Sequence, residues 1–422
     1  RRPCVTIRSM SGTSAYPRYS EERLTEALAD SPAVLIHGPR QSGKTTLARS
    51  VGDRLGYQYT TFDDDVARAA ASADPIGFVA DLPGRAILDE VQHVPTLFSA
   101  LKAAIDRART PGRFILTGSA NVLLVPRLSD SLAGRMEILR LHPLSQGEIA
   151  RTEPHFIDAL FTGSFRRSRG RRLAGELVER VVAGGYPAAL QRAQPRRRAA
   201  WYRNYVDALV ERDVRDMSRI SALDALPRLL AVAAANTAQT LNISELAAPF
   251  SLTRPTIKDY VTLLERVFLI DTLPPWHSNR LKRLVKTPKL HMGDTGLACA
   301  LLGLDATALH ADRSAFGPLL ETFVFQELRR QASWHPETVT FYHFRDRDGV
   351  EVDLVLECGT RVAGIEVKAA ATVTDADFRG LRKLREATGR RFSAGVVLYD
   401  GETSAPFGER LHALPMSTLW AR

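Results

Sequence analysis

The chain has 422 residues and 45% of them are hydrophobic, which is enough for two to four domains with packed cores. No run of about 18 apolar residues occurs, so no membrane-spanning helix is predicted. Three widely spaced cysteines exclude a disulfide scaffold and fit a reducing compartment. No secretory leader pattern opens the sequence, and we therefore expect a cytoplasmic protein.

The net charge of +10 suits a protein that contacts phosphate backbones or anionic surfaces. Arginine greatly outnumbers lysine and alanine is abundant, so a GC-rich genome is an alternative source of this charge. The charge makes DNA a candidate partner and does not by itself establish one.

The first predicted element is a strand over Ala33–Ile36, and it leads into a phosphate-binding loop. The sequence Gly38-Pro39-Arg40-Gln41-Ser42-Gly43-Lys44-Thr45-Thr46 has the spacing G-x-x-x-x-G-K-[ST], and a helical pattern opens at Lys44. A strand, a Gly-rich turn and a helix N-terminus aim several backbone N–H groups at one anion. We expect this loop to bind ATP, with Lys44 near the outer phosphates and Thr45 on Mg²⁺.

A later apolar strand, over residues 86–89, ends in the carboxylates of Asp89 and Glu90. In a P-loop enzyme the first carboxylate holds the magnesium shell and the second polarises the attacking water. We therefore predict Asp89 as a magnesium residue and Glu90 as the general base. A solvated turn is the alternative for this pair.

Two other candidates for the ATP site follow. A buried strand from Phe114 ends in hydroxyls, and Thr117 or Ser119 could sense the γ-phosphate or merely cap the next segment. Arg135 precedes the next strand and is a candidate arginine finger acting on a neighbouring subunit. A surface salt bridge is the equal alternative for Arg135. A finger in trans makes a homo-oligomer the expected state.

Strands predicted at 33–36, 57–62, 86–89, 113–117 and 136–141 alternate with helical stretches, which indicates an α/β fold with a parallel sheet. We assign residues 17–150 to this ATPase domain and residues 151–235 to a helical connector. Asp63-Asp64-Asp65 is expected to be a turn with a helix cap. The basic run Phe165–Arg172 is expected to be a loop, and a long helix is predicted to begin at Trp201.

Residues 236–310 have the rhythm of a winged helix. A short helix over Ile243–Ala248 and a turn precede a second helix capped by Thr253. Its apolar face is Ile257, Tyr260, Val261, Leu264 and Val267. That pattern leaves Arg254 and Lys258 exposed, as in a helix that enters the major groove. Phe268–Leu273 and the basic segment Asn279–Arg283, with Lys282, are predicted as the wing. Packing as a lid is the equal alternative to DNA contact.

Residues 311–422 are predicted to form a second α/β domain with an acidic cluster. Val350–Leu356 alternates like a half-buried strand, Glu357–Thr360 is predicted as a turn, and Arg361–Lys368 as the next strand. If these strands pair, Asp353 meets Glu366. Glu366 shares a strand face with Lys368. Two carboxylates would hold Mg²⁺ or Mn²⁺, and Lys368 could orient or deprotonate a water. A cross-strand salt bridge in a structural domain is the alternative.

These motifs resemble the AAA+ ATPases of bacteria and archaea, and one family in particular that joins such a module to a C-terminal domain of unknown function. The carboxylates and Lys368 also resemble the D-x-n-E-x-K layout of restriction-endonuclease-like proteins, with Glu321 in the place of that superfamily's helical acidic residue. The likeness extends over nearly the whole chain and is carried by the following segments: 38–46, 88–92, 116–119, 131–135, 289–297, 351–353 and 365–368.

The resemblance implies ATP use and this fold, and it does not imply a substrate. Our leading hypothesis is an ATPase that couples ATP hydrolysis to nucleic acid binding or processing, with metal-dependent nuclease activity left open. The alternative is a nucleotide-dependent regulatory switch, or a component of a defence or toxin system, whose nuclease-like domain is inactive and binds protein.

Overall fold

A computed structural model describes residues 16–119, 134–165, 167–211, 225–250, 252–278 and 287–421. The amino-terminal part is a five-stranded parallel sheet with the strand order β2-β3-β4-β1-β5. Its strands are β1 (Ala33–His37), β2 (Gln58–Thr61), β3 (Ala86–Asp89), β4 (Phe114–Gly118) and β5 (Met136–Arg140). The predicted α/β alternation and parallel sheet are confirmed, and each strand boundary lies within one residue of the prediction.

Helices connect these strands and cover the sheet on both faces. They are α1 (Ser20–Asp30), α2 (Lys44–Leu55), α3 (Asp65–Ala73), α4 (Pro75–Ala80) and α5 (Leu97–Arg107). Asp64 caps α3 by accepting hydrogen bonds from the backbone N–H groups of Val66 and Ala67, as its sequence position predicts. Two apolar cores result, one on each face of the sheet.

The following segment is mostly helical. Its helices are α6 (Gln146–Ala150), α7 (Phe156–Thr162), α8 (Gly175–Ala183), α9 (Pro187–Leu190) and α10 (Pro195–Leu209). The long helix α10 begins six residues before the predicted start at Trp201 because Pro195 fits the first turn of a helix. The loop predicted over the basic run is wrong in part, because Ser168–Arg169 form a short strand, β6.

The middle of the chain folds into three helices beside a three-stranded sheet. The helices are α11 (Ala225–Ala235), α12 (Ile243–Ala247) and α13 (Arg254–Arg266). The strands are β7 (Gln239–Thr240), β8 (Ile270–Leu273) and β9 (Lys289–Met292), in the sheet order β7-β9-β8. Thr253 caps α13 through the Thr256 N–H, and the predicted apolar face of α13 is buried.

The carboxyl-terminal part is a seven-stranded sheet with the order β10-β11-β12-β13-β15-β14-β6. The strands added here are β10 (Val339–Arg345), β11 (Glu351–Cys358), β12 (Arg361–Lys368), β13 (Phe392–Tyr399), β14 (Thr403–Pro406) and β15 (Leu411–Pro415). The helices are α14 (Thr295–Leu302), α15 (Ala306–Ala311), α16 (Phe316–Ala332) and α17 (Arg379–Thr388).

Strands β10, β11 and β12 pair antiparallel, whereas β12, β13 and β15 pair parallel, with α17 crossing between β12 and β13. The turn predicted over Glu357–Thr360 is wrong at its first two residues. Strand β11 continues to Cys358 because Glu357 is buried and accepts hydrogen bonds from Trp276 and Arg391.

One continuous apolar core extends from Phe156 to Trp420 and draws on the connector, the middle segment and the carboxyl-terminal sheet. The predicted boundaries at residues 235 and 310 fall within the stretch of chain that contributes to this core. The residues of this core all follow residue 150, and those of the two cores of the ATPase sheet all precede it. The division into domains stays a prediction. Within the described ranges, no helix combines the length and apolar character needed to cross a membrane.

Candidate functional site

The phosphate-binding loop joins the carboxyl end of β1 to the amino end of α2. Gly43 is the N-cap of α2 with a φ of 100°, a backbone conformation that favours glycine. Gly38 passes so close to the Leu141 carbonyl oxygen that a Cβ there would clash. Among the described residues no side chain caps α2, and helix N-terminal N–H groups of this kind can bind an anion.

Lys44 is buried inside this loop. Its Nζ donates to the carbonyl oxygens of Gly38 at 3.1 Å and Pro39 at 3.0 Å, and the residue is only 4% exposed. The ammonium group therefore lies within the curl of the loop, on the side where an outer phosphate would meet it.

Asp89, at the end of β3, is held by three hydroxyl groups. Its Oδ1 accepts from Thr45 at 2.8 Å and from Thr117, and its Oδ2 accepts from Tyr59 at 2.8 Å. Burial and the hydrogen bond to Asp89 raise the pKa of Tyr59 to about 12, so the phenol stays a donor. Thr45 and Asp89 together offer hard oxygen ligands beside the loop, which fits Mg²⁺ that keeps several waters and phosphate oxygens.

Glu90 follows Asp89 in a left-handed backbone conformation, with φ 56° and ψ 47°. Its N–H donates to Thr117 Oγ1 at 3.2 Å, and its carboxylate accepts from the Gln92 amide. The same amide donates to Ser119 Oγ at 3.2 Å. A non-glycine residue in this conformation is strained, and such strain concentrates at functional sites. Glu90 and Ser119 are thus joined through the Gln92 amide in one hydrogen-bond network beside the loop.

Arg135 lies at the opposite end of the sheet from the loop of its own chain. It precedes β5, whose first residue Met136 is in register with Ala33 at the start of β1. Five residues of strand, about 16 Å, separate that edge from the loop. The guanidinium makes two hydrogen bonds to Asp106, at 2.6 and 3.1 Å. The structure therefore does not bring Arg135 to the other predicted ATP-site residues of the same chain.

Helix α10 packs directly on the phosphate-binding loop. The Tyr205 hydroxyl donates to the Arg40 carbonyl oxygen at 3.3 Å, and the Tyr205 ring stacks on Trp201 with 5.2 Å between centroids. A pocket of about 290 Å³ opens between helix and loop. Its lining residues are Arg40, Gln41, Trp201, Asn204, Tyr205, Ala208 and Leu209.

The predicted carboxyl-terminal site residues also come together. Asp353 Oδ2 accepts from the Val367 N–H at 2.8 Å, and Lys368 Nζ lies 3.0 Å from Glu366 Oε1. Lys289, which the prediction did not assign to this site, inserts its Nζ 2.9 Å from Glu321 Oε1 and 3.6 Å from Asp353 Oδ1.

This cluster does not fit a divalent metal ion as it stands. A lysine ammonium already lies between two of the carboxylates that would bind the ion. In the part of the chain that the structure describes, no group of three or more His, Cys, Asp or Glu side chains is arranged to hold a metal. Burial and the neighbouring Asp353 raise the pKa of Glu321 well above its usual range and that of Glu366 to about 7.

The predicted DNA-contacting residues are divided between described and undescribed parts of the chain. Arg254 and Lys258 are exposed on α13, although Asp259 beside them is exposed as well. Lys282, Arg283 and the rest of the predicted wing tip lie outside the described residues, as does the segment 131–133 before Gly134.

Sequence reasoning missed three side chains that shape these sites: Tyr59, Tyr205 and Lys289. Tyr59 reaches Asp89 because β2 lies beside β3, and Tyr205 reaches the loop across 165 residues of sequence. The signals for Lys289 were the rarity of lysine in the chain and its position in the segment 289–297, which contributes to the family resemblance.

Models of three domain families match the chain. The model described as "AAA domain" matches residues 30–150. Two models described as domains of unknown function match the rest, DUF8612 over residues 174–308 and DUF4143 over residues 316–419.

Among solved structures, a Walker-type ATPase of Pyrococcus abyssi is 16% identical and has a TM-score of 0.43, over 68% of this chain and 96% of its own. The Holliday junction branch migration motor RuvB of Thermotoga maritima is 18% identical with a TM-score of 0.26, over 61% of this chain and 90% of its own. TM-scores below 0.5 are too low to support a functional argument.

Among curated proteins, the uncharacterized protein Rv2008c of Mycobacterium tuberculosis is 30% identical over 400 residues, which is 94% of this chain and 83% of the relative. A Mycobacterium bovis protein matches with the same values. The chain therefore belongs to the family of these mycobacterial proteins, with an AAA domain of the P-loop ATPase type over residues 30–150.

Proposed function

We propose that this chain binds ATP with Mg²⁺ and hydrolyses it slowly. The observation that supports this most is the hydroxyl network that joins Thr45 of the phosphate-binding loop to Asp89 at 2.8 Å. A chance Gly-rich turn has no need of a buried carboxylate fixed next to its helix.

The residues divide the work of hydrolysis between them. The loop N–H groups and Lys44 bind the phosphates, and Thr45 and Asp89 hold the magnesium shell, which supplies positive charge at the phosphate oxygens. Glu90 accepts the proton of the water that attacks the γ-phosphorus, while the bond to the bridging oxygen breaks and ADP leaves. Gln92, whose amide bonds to both Glu90 and Ser119, would orient Glu90, and Ser119 would contact the γ-phosphate.

Two variants separate binding from hydrolysis. Lys44→Ala should lose ATP binding, measured with a fluorescent ATP analogue. Glu90→Gln should bind ATP normally and release phosphate roughly a hundredfold more slowly or worse, because the general base is gone. Lys383→Ala and Glu22→Gln change exposed residues and serve as matched controls. Native phosphate release by Glu90→Gln would refute the role of Glu90.

We further propose that ATP turnover is coupled to DNA binding through the middle segment. The order α11-β7-α12-α13-β8-β9 and the sheet order β7-β9-β8 resemble those of a winged helix, which supports this proposal. Arg254 and Lys258 are exposed on the helix that would face DNA. Affinity for a duplex should fall steeply as salt rises, since bound cations are released from the phosphates.

The DNA proposal has its own test. The double variant Arg254→Ala/Lys258→Ala should weaken binding and flatten the salt dependence, with Lys383→Ala as the control in another part of the chain. Absence of duplex binding at low salt, in a protein that hydrolyses ATP, would leave the helix as a packing element only.

For the carboxyl-terminal domain, one observation favours the alternative of an inactive, protein-binding module. The order α16-β10-β11-β12-α17-β13, with carboxylates on α16, β11 and β12, resembles that of restriction-endonuclease-like folds. The Lys289 ammonium, however, lies between Glu321 and Asp353. A nuclease needs a metal there. Cleavage of DNA or RNA by the native chain in Mn²⁺, lost in Asp353→Asn, would instead support nuclease activity.

A further inference from the structure

Lys289 reaches the acidic cluster from a different sheet. It is the first residue of β9 in the three-stranded sheet, whereas Glu321 lies on α16 and Asp353 on β11. The lysine is 5% exposed, and its Nζ lies 2.9 Å from Glu321 Oε1 and 3.6 Å from Asp353 Oδ1. A buried ammonium persists only where carboxylates compensate its charge, so the contact is built into the fold.

The strand that carries Lys289 is anchored on several sides. Gln326 of α16 donates to the Met292 carbonyl oxygen at 2.9 Å, and the Met292 N–H donates to Thr237 Oγ1 at 3.0 Å. The Thr237 and Thr322 hydroxyls are 2.8 Å apart, which ties the same strand again to α16. These bonds hold the backbone of β9 against α16. The burial of Lys289 and its contacts with Glu321 and Asp353 hold the ammonium between the two carboxylates.

Two other buried atoms around the cluster have no hydrogen-bond partner among the described residues. His291 is fully buried, and its Nε2 lies 3.9 Å from Glu321 Oε1 while its Nδ1 is bonded to Thr322. The Oε2 atom of Glu366 is likewise buried and unpaired. Buried polar atoms rarely lack a hydrogen-bond partner. An imidazole nitrogen and a carboxylate oxygen are both atoms that can bind a metal ion.

The buried carboxylates of this cluster need a cation, and Lys289 supplies it. Glu321, Asp353 and Glu366 would repel one another in a buried cluster without a cation between them. Lys368 pairs with Glu366, which leaves Lys289 as the cation shared by Glu321 and Asp353. A divalent ion with oxygen and nitrogen ligands would satisfy the same set, and it cannot share that space with the ammonium.

We propose that Lys289 is the resident cation of this cluster and that it excludes divalent metal ions, so that a Mn²⁺ site appears when the ammonium is removed. In the native chain this cluster is then metal-free, and Lys289 and Lys368 compensate the charge of its carboxylates. The inference does not depend on ATP hydrolysis, which uses residues on another sheet.

Mn²⁺ binding to the nucleotide-free full chain tests the proposal. Electron paramagnetic resonance counts the free ion, and a melting curve in Mn²⁺ and in EDTA reports whether binding stabilises the fold. In the native chain and in the control Lys383→Ala, adding Asp353→Asn should not reduce the amount of Mn²⁺ bound. Their melting temperatures should be the same in Mn²⁺ and in EDTA. Lys289→Met should bind one Mn²⁺ and melt higher in Mn²⁺ than in EDTA. Adding Asp353→Asn to Lys289→Met should abolish both effects.

Two results would overturn the proposal. One is a native chain that binds a Mn²⁺ ion removed by Asp353→Asn. The other is a folded Lys289→Met that binds none. If Lys289→Met is unfolded in EDTA, Mn²⁺ should restore its native circular-dichroism spectrum. A spectrum that Mn²⁺ does not restore, while the double variant Lys289→Met/Glu321→Gln is folded, would also count against the proposal, because loss of the charge pair alone would then explain the unfolding.

Discussion

The Tyr205 hydroxyl donates a hydrogen bond of 3.3 Å to the carbonyl oxygen of Arg40, in the middle of the phosphate-binding loop. Three residues earlier on the same helix, the Tyr202 hydroxyl donates to Asp294 Oδ1 at 2.9 Å. Asp294 caps α14 in the carboxyl-terminal core. Helix α10 thus contacts both the loop and the cap of α14, and we expect a change in loop conformation to alter the surroundings of α10.

The first prediction uses Trp201 as a reporter of this connection. Trp201 lines the pocket beside Arg40 and Gln41, so ATP binding should change its fluorescence emission. Trp201→Phe should lose that change, whereas Trp334→Phe, which removes a tryptophan packed on Tyr19, should keep it. An unaltered response in Trp201→Phe would mean that the loop and α10 are not coupled.

The hydroxyl of Tyr205 can be tested in the same assay. Tyr205→Phe keeps the ring that stacks on Trp201 and removes the hydroxyl, which bonds to the Arg40 carbonyl oxygen and lies 3.3 Å from the Tyr186 hydroxyl, at a cost of about 1 kcal/mol in the free energy of unfolding. We expect a smaller ATP-induced emission change with a nearly native melting curve. A full-sized change would assign Tyr205 to packing alone.

A second prediction concerns the buried ion pair between Asp294 and Arg330. Asp294 Oδ2 accepts from Arg330 at 3.0 Å and from the Gly185 N–H at 2.8 Å, and both charged side chains are almost fully buried. Asp294→Ala should lower the free energy of unfolding by about 3–5 kcal/mol, because it strands a buried guanidinium.

Asp305 provides a matched control, because it also caps a helix but is exposed. Asp305→Ala should cost about 1 kcal/mol, the usual value of a lost cap. Urea denaturation of both variants measures the difference. Equal losses would mean that Asp294 contributes as a helix cap and no more.

Local patterns in the sequence predicted the elements around the phosphate-binding loop and two helix caps. The G-x-x-x-x-G-K-T spacing, the apolar strands and the Asp64 and Thr253 caps depend on neighbours in sequence, and the structure has each of them. The sequence also predicted that Asp353 and Glu366 lie on adjacent strands. This prediction depended on local sequence too, because the turn between β11 and β12 is short.

Contacts between distant segments could not be predicted in this way. Tyr59 meets Asp89 only because the strand order places β2 beside β3. Lys289 is 32 residues from Glu321 in sequence, and only the packing of β9 on α16 brings them together. The buried position of Glu357 depends on Trp276, a residue 81 positions earlier. A residue pattern indicates which face of an element is apolar and does not indicate what covers it.

The third prediction concerns pH. His37, at the end of β1, is 8% exposed and packs on Phe268 with 5.6 Å between ring centroids. Burial, with the nearby charges of Arg140 and Lys44, lowers its pKa to about 4. At pH 5 the unfolded histidine binds a proton and the folded one does not, so stability is lost as pH falls from about 6.5 towards 4.

From these values the loss at pH 5 relative to pH 8 should be about 2 kcal/mol for His37 alone. Glutamine at position 37 does not titrate, so the loss in the free energy of unfolding between pH 8 and pH 5 should be about 2 kcal/mol smaller in His37→Gln than in the native chain. His310→Gln changes an exposed histidine and should follow the native chain. Unfolding free energies measured in urea at both pH values decide the matter, and parallel curves for native chain and His37→Gln would contradict the prediction.

The last prediction concerns Arg135, whose position excludes a role at the γ-phosphate of its own chain. The sheet places it about 16 Å from the loop, since five strand residues lie between the two edges. Its bidentate pairing with Asp106 must open before the guanidinium can meet a phosphate on another subunit. If Arg135 is an arginine finger in trans, activity per chain should rise with protein concentration.

Variants distinguish this role from a surface salt bridge. Arg135→Ala should lower the rate of hydrolysis by about a thousandfold while ATP binding persists. Mixing it with Lys44→Ala should recover part of the activity, because one subunit then keeps the loop and the other the arginine. Asp106→Ala releases the arginine without removing it and should not lower the rate. Activity per chain that stays constant down to a monomer would leave Arg135 and Asp106 as a surface pair, since a residue at that edge of the sheet has no other route to a phosphate.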